Sequence, residues 1–248
     1  MDILILFYNT MWGFPLEFRK EDLPGGCVIT TDRNLLAKAD AVVFHLPDLP
    51  SVMEDEIDKR EGQLWVGWSL ECEENYSWTK NPEFRESFDL WMGYHQEDDI
   101  VYPYYGPDYG KMLVTARREK PYKKKACMFI SSDMNRSHRQ EYLKELMQYT
   151  DIDSYGKLYR NCELPVEDRG RDTLLSVIGD YQFVISFENA IGKDYVTEKF
   201  FQSFVGRYCS GLSGSSQYSG ICSGRKLFSG YLYFRFSRGS SCFYESML

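Results

Sequence analysis

Short apolar runs alternate along the chain with polar or amphipathic segments, and this alternation predicts β-strands separated by helices and loops. The apolar runs are rich in β-branched and aromatic side chains, as buried strands are. We predict strands at 2–7, 27–31, 41–45, from 64 onward, 126–132 and 181–187. Apolar residues at helical spacing predict helices at 136–147, at 171–178 and after Asp194. Alternating strands and helices favour a parallel sheet, so the predicted fold class is α/β.

Composition along the chain divides it into four predicted parts. Residues 1–115 form a first α/β domain, and the Lys-rich segment 116–125 is a basic linker. Residues 126–205 form a second α/β domain, and residues 206–248 are a Gly- and Ser-rich tail in which we find no strand or helix period. Only about three strands precede the tail in the second domain, where a doubly wound domain has about five or six. The second domain is therefore predicted to be incomplete.

Charged residues follow the predicted strand at 181–187 and lead into a helix. Asp194 stands where a helix N-cap would, and Glu198 and Lys199 come about one turn later. A strand, a polar loop and a helix N-terminus in this order can bind an anionic ligand. Lys199 suits a phosphate, and Glu198 can accept hydrogen bonds from sugar hydroxyls. The alternative is an amphipathic helix with a solvated Glu-Lys face.

Glu71 is a candidate general base, because it follows the apolar strand that begins at residue 64. Contact with Trp68 and Leu70 would desolvate its carboxyl, raise its pKa and make it a better base near neutral pH. The alternative is a solvated acidic loop that Glu71 shares with Glu73 and Glu74.

Arg139 and His45 are two further candidate site residues. Arg139 starts the helix after the strand at 126–132, where its guanidinium could donate two hydrogen bonds to a diphosphate. The alternative is an ion pair with Glu141 or Glu145. His45 ends the third strand, at the edge where α/β sheets bind ligands, and its alternative is a buried histidine with a satisfied hydrogen bond.

Composition and motifs exclude several other functions. The net charge of −8 argues against a nucleic-acid partner, which needs a basic face. We find no apolar run long enough to span a membrane and no signal peptide. The seven cysteines include no C-x-x-C pair, and no Asp-x-Asp stands between short strands, so no metal site is expected. Neither a P-loop nor G-x-G-x-x-G occurs.

The segment FVISFENAIGKDYVTEKFFQ resembles the signature of the GDP-fucose-dependent α1,3/α1,4-fucosyltransferases, which share FEN, four residues and DYVTEK. The resemblance extends over both predicted domains. It implies a GT-B-like fold of two Rossmann-like domains that transfers L-fucose from GDP-fucose to a glycan hydroxyl. The acceptor position would be α1,3 or α1,4 on N-acetylglucosamine, with inversion and with neither metal nor cofactor besides the donor substrate.

The same resemblance implies roles for individual residues. Glu71 matches the family's catalytic base, and Arg139, three residues before Tyr142, matches an arginine that binds the nucleotide diphosphate. The remaining donor-binding residues lie within the signature: Asn189, Tyr195, Glu198 and Lys199.

The chain departs from the family pattern at three places. Cys72 and Glu73 stand where the family has Ser-Pro, and His95 and Gln96 stand where it has two arginines, so a donor contact there is not carried over. After Val205 the family's Val-Ala-Gly-Thr-Val-Pro-Val stretch is missing. With suitable codons, a one-base shift after Val205 reads AGTVPVYLGAPNIQEFAPGENS, which is the family's continuation. Our hypothesis is that the tail is translated out of frame. Transcript codons that cannot encode this string would refute it.

The expected function is therefore a fucosyltransferase, with two alternatives. The first is a catalytically inactive, truncated or frameshifted product. The second is another nucleotide-binding α/β enzyme. Because of the tail, we expect the chain as it stands to fold poorly in its second half, to bind GDP weakly and to transfer no measurable fucose. The resemblance implies a membrane-anchored form in the Golgi lumen where a full-length protein carries an anchor.

Overall fold

The computed structural model describes residues 2–53, 57–105, 124–205 and 209–213. The chain divides into two compact units, Met1–Pro103 and Tyr104–Leu248, and each unit has its own parallel β-sheet. No helix within the described ranges is long and apolar enough to cross a membrane.

The first unit is built on six strands, which are β1 (Ile3–Phe7), β2 (Cys27–Thr30), β3 (Ala41–His45), β4 (Leu64–Ser69), β5 (Leu90–Gly93) and β6 (Ile100–Val101). All pairs are parallel, and the spatial order is β2-β1-β3-β4-β5-β6. The strand order reverses between β1 and β3, and open α/β sheets bind ligands at the carboxyl ends of the strands beside such a point.

Short helices connect these strands. The α-helices are α1 (Leu49–Val52) and α2 (Pro82–Glu86), and 3-10 turns lie at Met11–Gly13, Lys20–Asp22, Arg33–Lys38 and Ser77–Lys80. Helix α2 begins with a proline, whose missing N–H costs nothing there, and the Asn81 side chain accepts from the N–H of Glu83 at 2.9 Å.

Both faces of the first sheet are buried, because alternate residues of β3 enter different cores. Val42 and Phe44 pack with Leu6 on one face, and Val43 packs with Val66 on the other. A strand covered on both faces reads as a continuous apolar run, which is the pattern seen at Ala41–His45.

The second unit is built on β7 (Lys124–Met128), β8 (Ile152–Ser154), β9 (Tyr181–Phe187) and β10 (Cys209–Ser213), with helices α3 (Arg139–Leu146), α4 (Arg171–Ile178) and α5 (Glu198–Val205). The strands are parallel in the order β10-β9-β7-β8. Strand β9 is thus central, with a partner on each side.

Two helices cover opposite faces of this sheet. Ile185 and Phe187 of β9 pack in one core with Leu143 of α3. Val184, the residue before Ile185, packs with Val177 of α4 in another core. This alternation explains why a seven-residue apolar strand stands at the centre of the unit.

The predicted α/β class is confirmed by these two sheets. The structure gives the predicted bounds for Ala41–His45, Arg171–Ile178 and Tyr181–Phe187. The predicted linker at 116–125 lies outside the described residues except for its last two, which begin β7.

The tail differs from its prediction over one short stretch. We expect no strand after Val205, yet Cys209–Ser213 forms β10 and pairs with β9. The exposed edge of a strand offers backbone donors and acceptors that a neighbouring segment can pair with whatever its side chains. Residues 206–208 and 214–248 lie outside the described part of the chain.

Candidate active site

The loop between β9 and α5 carries most of the predicted donor-binding residues. Asp194 has a left-handed backbone with φ 58°, and the helix begins only at Glu198. The backbone N–H of Thr197, just before the helix, donates to Oε1 of Glu188 at 2.9 Å. The prediction of Asp194 as the N-cap is therefore wrong, because a carboxylate from the strand end satisfies the N–H at the helix start instead. Glu198 and Lys199 are the first two helical residues, not residues one turn inside.

Glu188 is the buried centre of this junction. It is the first residue after β9, and its side chain is 0% exposed. Oε2 accepts from the Thr197 hydroxyl at 2.8 Å, and Nζ of Lys199 lies 3.6 Å from the same oxygen. Burial raises the pKa of Glu188, while the charge of Lys199 and the Thr197 donors act in the opposite direction.

Lys199 lies between two carboxylates. Its Nζ is 2.8 Å from Oε1 of Glu198 and also donates to the Thr197 hydroxyl at 3.1 Å. Burial alone would lower the pKa of Lys199, but Glu188 and Glu198 raise it above its ordinary value, so the ammonium stays charged. The side chains of Lys199 and Glu198 are 29% and 42% exposed, so the pair is neither buried nor the fully solvated face of the alternative interpretation.

Arg139 begins α3, as predicted, but its guanidinium is occupied. It is 2% exposed, Nη1 donates to the carbonyl of Phe187 at 3.0 Å, and Nη2 donates to the carbonyl of Ser132 at 2.6 Å. Nε has no hydrogen-bond partner among the described residues. Burial lowers the pKa of Arg139, and the charges of Glu188 and Glu198 oppose this. The alternative of a surface ion pair does not fit a side chain this deeply buried.

Asn189 and Tyr195 complete the group. Both are buried, and the Tyr195 hydroxyl donates to Oδ1 of Asn189 at 3.2 Å. The carbonyl of Asn189 accepts from the N–H of Ser137 at 3.1 Å. The structure thus brings all five predicted donor-binding residues to the carboxyl end of β9.

Sequence reasoning missed the residues that organise this group. Three consecutive carbonyls at the end of β9 accept hydrogen bonds from the start of α3 and the segment before it. Arg139 donates to the carbonyl of Phe187. The hydroxyl of Ser137 donates to the carbonyl of Glu188 at 2.5 Å, and the N–H of Ser137 donates to that of Asn189 at 3.1 Å. The signal in the sequence for Glu188 is its position directly after a seven-residue apolar strand.

In the first unit, Glu71 follows β4 by two residues and is half-buried. Oγ of Ser69 accepts from the N–H of Glu71 and donates to its carbonyl, both at 3.2 Å, so the strand end is held as a tight turn. Burial, followed by the charges of Glu71 and Asp48, raises the pKa of Tyr76. The carboxylate of Glu71 therefore lies near the phenol of Tyr76.

Glu73 is anchored two residues further on. It accepts from the Tyr94 hydroxyl in a short hydrogen bond, and Nε2 of His95 lies 3.3 Å from Oε2. Burial of Glu73 would raise its pKa, but the hydrogen bonds from His95 and Tyr94 lower the pKa to about 2. Burial also raises the pKa of the adjacent Cys72 thiol to about 11, so this cysteine is a neutral packing residue. Glu73, which stands at the Pro position of the family's Ser-Pro, therefore binds His95, which stands at the position of the first Arg.

His45 lies at the point where the strand order of the first sheet reverses. It is 0% exposed, its Nδ1 pairs with Asp48, and Nε2 has no hydrogen-bond partner within the described ranges. Asn9 donates to Oδ1 of Asp48 at 3.0 Å and accepts the His45 N–H at 2.9 Å. Burial lowers the pKa of His45 despite Asp48, which makes it a neutral imidazole near pH 7.

The predicted residues are thus distributed over both units. Glu71 belongs to Met1–Pro103, and the five donor-binding residues belong to Tyr104–Leu248. In the described part of the chain, no group of three or more His, Cys, Asp or Glu side chains is arranged to hold a metal ion.

Family models match both units. A model described as fucosyltransferase, N-terminal, matches residues 2–105. A model described as glycosyltransferase family 10 (fucosyltransferase) C-term matches residues 119–209. The chain belongs to this fucosyltransferase family. The second match includes every predicted donor-binding residue, and the first includes Glu71.

Similar curated proteins agree with this assignment. Over 212 residues the chain is 30% identical to alpha-(1,3)-fucosyltransferase 7 of Mus musculus, which covers 78% of this chain and 50% of that protein. It is 31% identical over 189 residues to 4-galactosyl-N-acetylglucosaminide 3-alpha-L-fucosyltransferase 9 of Homo sapiens, covering 73% and 48% respectively. The chain spans about half the length of these relatives.

The fold is similar to that of a solved alpha1,3-fucosyltransferase. A crystal structure with GDP-fucose matches with a TM-score of 0.56 and 16% identity, covering 88% of this chain and 70% of that one. This likeness confirms the predicted GT-B-like class of Rossmann-type units.

Proposed function

We propose that the chain carries the site for transfer of L-fucose from GDP-fucose to a glycan hydroxyl, at an α1,3 or α1,4 position on N-acetylglucosamine, and that this site is active once the residues after Val205 follow the family pattern. The reaction would invert the anomeric centre and need neither metal nor cofactor. The observation that carries this proposal is the gathering of Arg139, Lys199 and Glu198 around the buried Glu188 at one strand end, in a chain of the fucosyltransferase family.

The donor side follows from the charges at that strand end. Lys199, a charged ammonium at the start of α5, suits the diphosphate, because a helix N-terminus also favours an anion. Arg139 adds positive charge to the same place, and the two cations would offset the charge that grows on the departing GDP. Glu198 would orient the fucose or the ribose, and Asn189 and Tyr195 would contact the donor.

The acceptor side rests on Glu71. A carboxylate in a half-buried loop can remove the proton from an acceptor hydroxyl as this attacks the anomeric carbon. The sugar would then leave GDP with inversion, because attack and departure take opposite faces of the ring. The tight turn through Ser69 holds the backbone that carries Glu71.

The test is a transfer assay with GDP-fucose and a glycan that ends in N-acetylglucosamine, run on the native chain and on a chimera in which the matching segment of an α1,3-fucosyltransferase replaces the residues from 206 onward. The expected products of the chimera are GDP and a fucosylated glycan, with the β-linked donor converted to an α-linkage in the product as read by NMR. Hydrolysis of GDP-fucose without transfer, or transfer that needs an added divalent cation, would contradict the proposal.

A second candidate is a catalytically inactive member of the family, and one observation favours it. The C-terminal family model matches only to residue 209, close to the point after Val205 where the sequence departs from the family pattern. The same assay decides between the two, since the inactive form gives no fucosylated product while an in-frame relative does.

A further inference from the structure

The side chain of Glu188 is fully buried at the β9–α5 junction. It is 0% exposed, whereas that of Glu198 is 42% exposed. The charged groups that act on it include Lys199 and Glu198 from α5 and Arg139 from α3. Two cations and two carboxylates therefore lie together at this strand end.

A bound diphosphate would upset this balance. Under the proposed function it binds Lys199, whose Nζ already lies 3.6 Å from Glu188. The diphosphate and the carboxylate of Glu188 would then share the ammonium of Lys199. A buried carboxylate whose cation is drawn toward a second anion is less stable in its charged form, and this favours uptake of a proton. Glu198 can turn its charge to water, but Glu188 cannot.

We propose that Glu188 is a positioning residue of the donor site, which holds Lys199 when the site is empty and takes up one proton when a nucleotide-sugar diphosphate binds to Lys199. This inference rests on the proposed function, because it assigns the diphosphate to Lys199. The proton comes from the solvent and goes to Oε2, the oxygen that faces Lys199, while Oε1 goes on accepting the N–H of Thr197. No bond to the ligand is made or broken.

The sign of the pH effect follows from this step. Binding raises the pKa of Glu188 above its value in the empty site, which burial has already raised. Affinity is highest below the pKa of the empty site, where Glu188 is already protonated. It falls by up to about tenfold per pH unit between the two pKa values and is flat above them.

The experiment measures binding of GDP-fucose to the full chain from about pH 5 to about pH 9. GDP-fucose is preferred to GDP, because a diphosphate diester lacks the secondary ionisation that a terminal phosphate has near pH 6. Calorimetry in two buffers of different ionisation enthalpy gives the number of protons taken up. Thermal unfolding with millimolar ligand detects binding even when it is weak.

Glu188→Gln separates charge from structure. The glutamine carbonyl can still accept the N–H of Thr197, but the side chain can no longer take up a proton. We expect this variant to bind GDP-fucose with a pH-independent affinity equal to that of the native chain at low pH, and without proton uptake. Asp153→Asn, which alters a carboxylate that binds Tyr181 in the same sheet, should keep the native pH profile.

The outcomes are distinguishable. If GDP-fucose binds the native chain with the same affinity and no proton uptake at every pH, or if Glu188→Gln keeps the native pH profile, this inference is wrong while the proposed function stands. If GDP-fucose stabilises neither the native chain nor the chimera with the replaced residues from 206 onward at any pH, the proposed function is wrong and the inference falls with it.

Discussion

The two units place charge at the same position of their sheets but organise it in opposite ways. After β4 the fixed group is a carboxylate, Glu73, which a phenol and an imidazole hold. After β9 the fixed groups are cations, which the buried Glu188 and backbone carbonyls hold. Topology decides where polar groups gather, and the sign of the charge that is presented there decides the chemistry. One strand end suits proton transfer, and the other suits a phosphate.

The largest expected effect concerns the completeness of the second unit. We expect no measurable fucose transfer by the chain as it stands, because the residues after Val205 depart from the family pattern. A chimera that replaces residues from 206 onward with the matching segment of an α1,3-fucosyltransferase should gain activity. Turnover of the native chain close to that of the chimera would show that its own tail serves the same purpose.

The next largest effect is expected on turnover and concerns proton transfer by Glu71 after β4. In the active chimera, Glu71→Gln should lower turnover by about 10²- to 10⁴-fold, because the amide cannot accept the acceptor's proton. GDP binding should be nearly unchanged, since Glu71 lies in the other unit. Glu74→Gln, a change at an exposed neighbour, is the control. Retained turnover would remove Glu71 from the mechanism.

A smaller effect is expected on GDP binding at the end of β9, where the variants of Lys199 and Arg139 should also differ in stability. Lys199→Ala should weaken GDP binding by about 1.5 to 3 kcal/mol in calorimetry. Arg139→Ala should weaken it by a similar amount and also destabilise the second unit, because it leaves the buried carbonyl of Phe187 and the partly buried carbonyl of Ser132 without their donor.

Lys144→Ala removes an exposed cation from α3 and is the matched control for both variants. Unchanged GDP affinity in both Lys199→Ala and Arg139→Ala would mean that the signature serves structure only. An unchanged melting temperature in Arg139→Ala would contradict its place in the core.

The smallest effect concerns the stability of the first unit against acid. The pKa of Glu73 in the folded chain is about 2, below its ordinary value of 4.5, so its contribution is complete above pH 4.5 and is lost as the pH falls toward 2. We expect a contribution on the order of 2 kcal/mol, reduced because a quarter of the side chain is exposed.

Tryptophan fluorescence can measure this in the first unit alone, since all five tryptophans lie before residue 104. Glu73→Gln should unfold at lower denaturant concentration than the native chain at pH 7, and the two should converge as the pH approaches 2. Parallel curves at all pH values would exclude a role for the Glu73 charge.

Local patterns were sufficient for the strands and the positions of most candidate residues. The apolar runs at Ala41–His45 and Tyr181–Phe187 have clear ends. The polar His45 ends the first run, and the charged Glu188 directly follows the second. Contacts across the fold were not predictable in this way. The start of α5 depends on Glu188, which lies nine residues before Thr197, so local spacing pointed to Asp194 instead. The burial of Arg139 likewise depends on carbonyls of a distant strand.

Three successive carbonyls at the end of β9 accept hydrogen bonds from Ser137 and Arg139, and the side chain between them caps α5. The start of α3, the end of β9 and the start of α5 therefore cannot open one at a time without exposing a buried polar group. In hydrogen exchange these three segments should behave as one cooperative unit, with amides that exchange together. A ligand that binds any one of them would slow exchange in all three, even in the two that it does not contact.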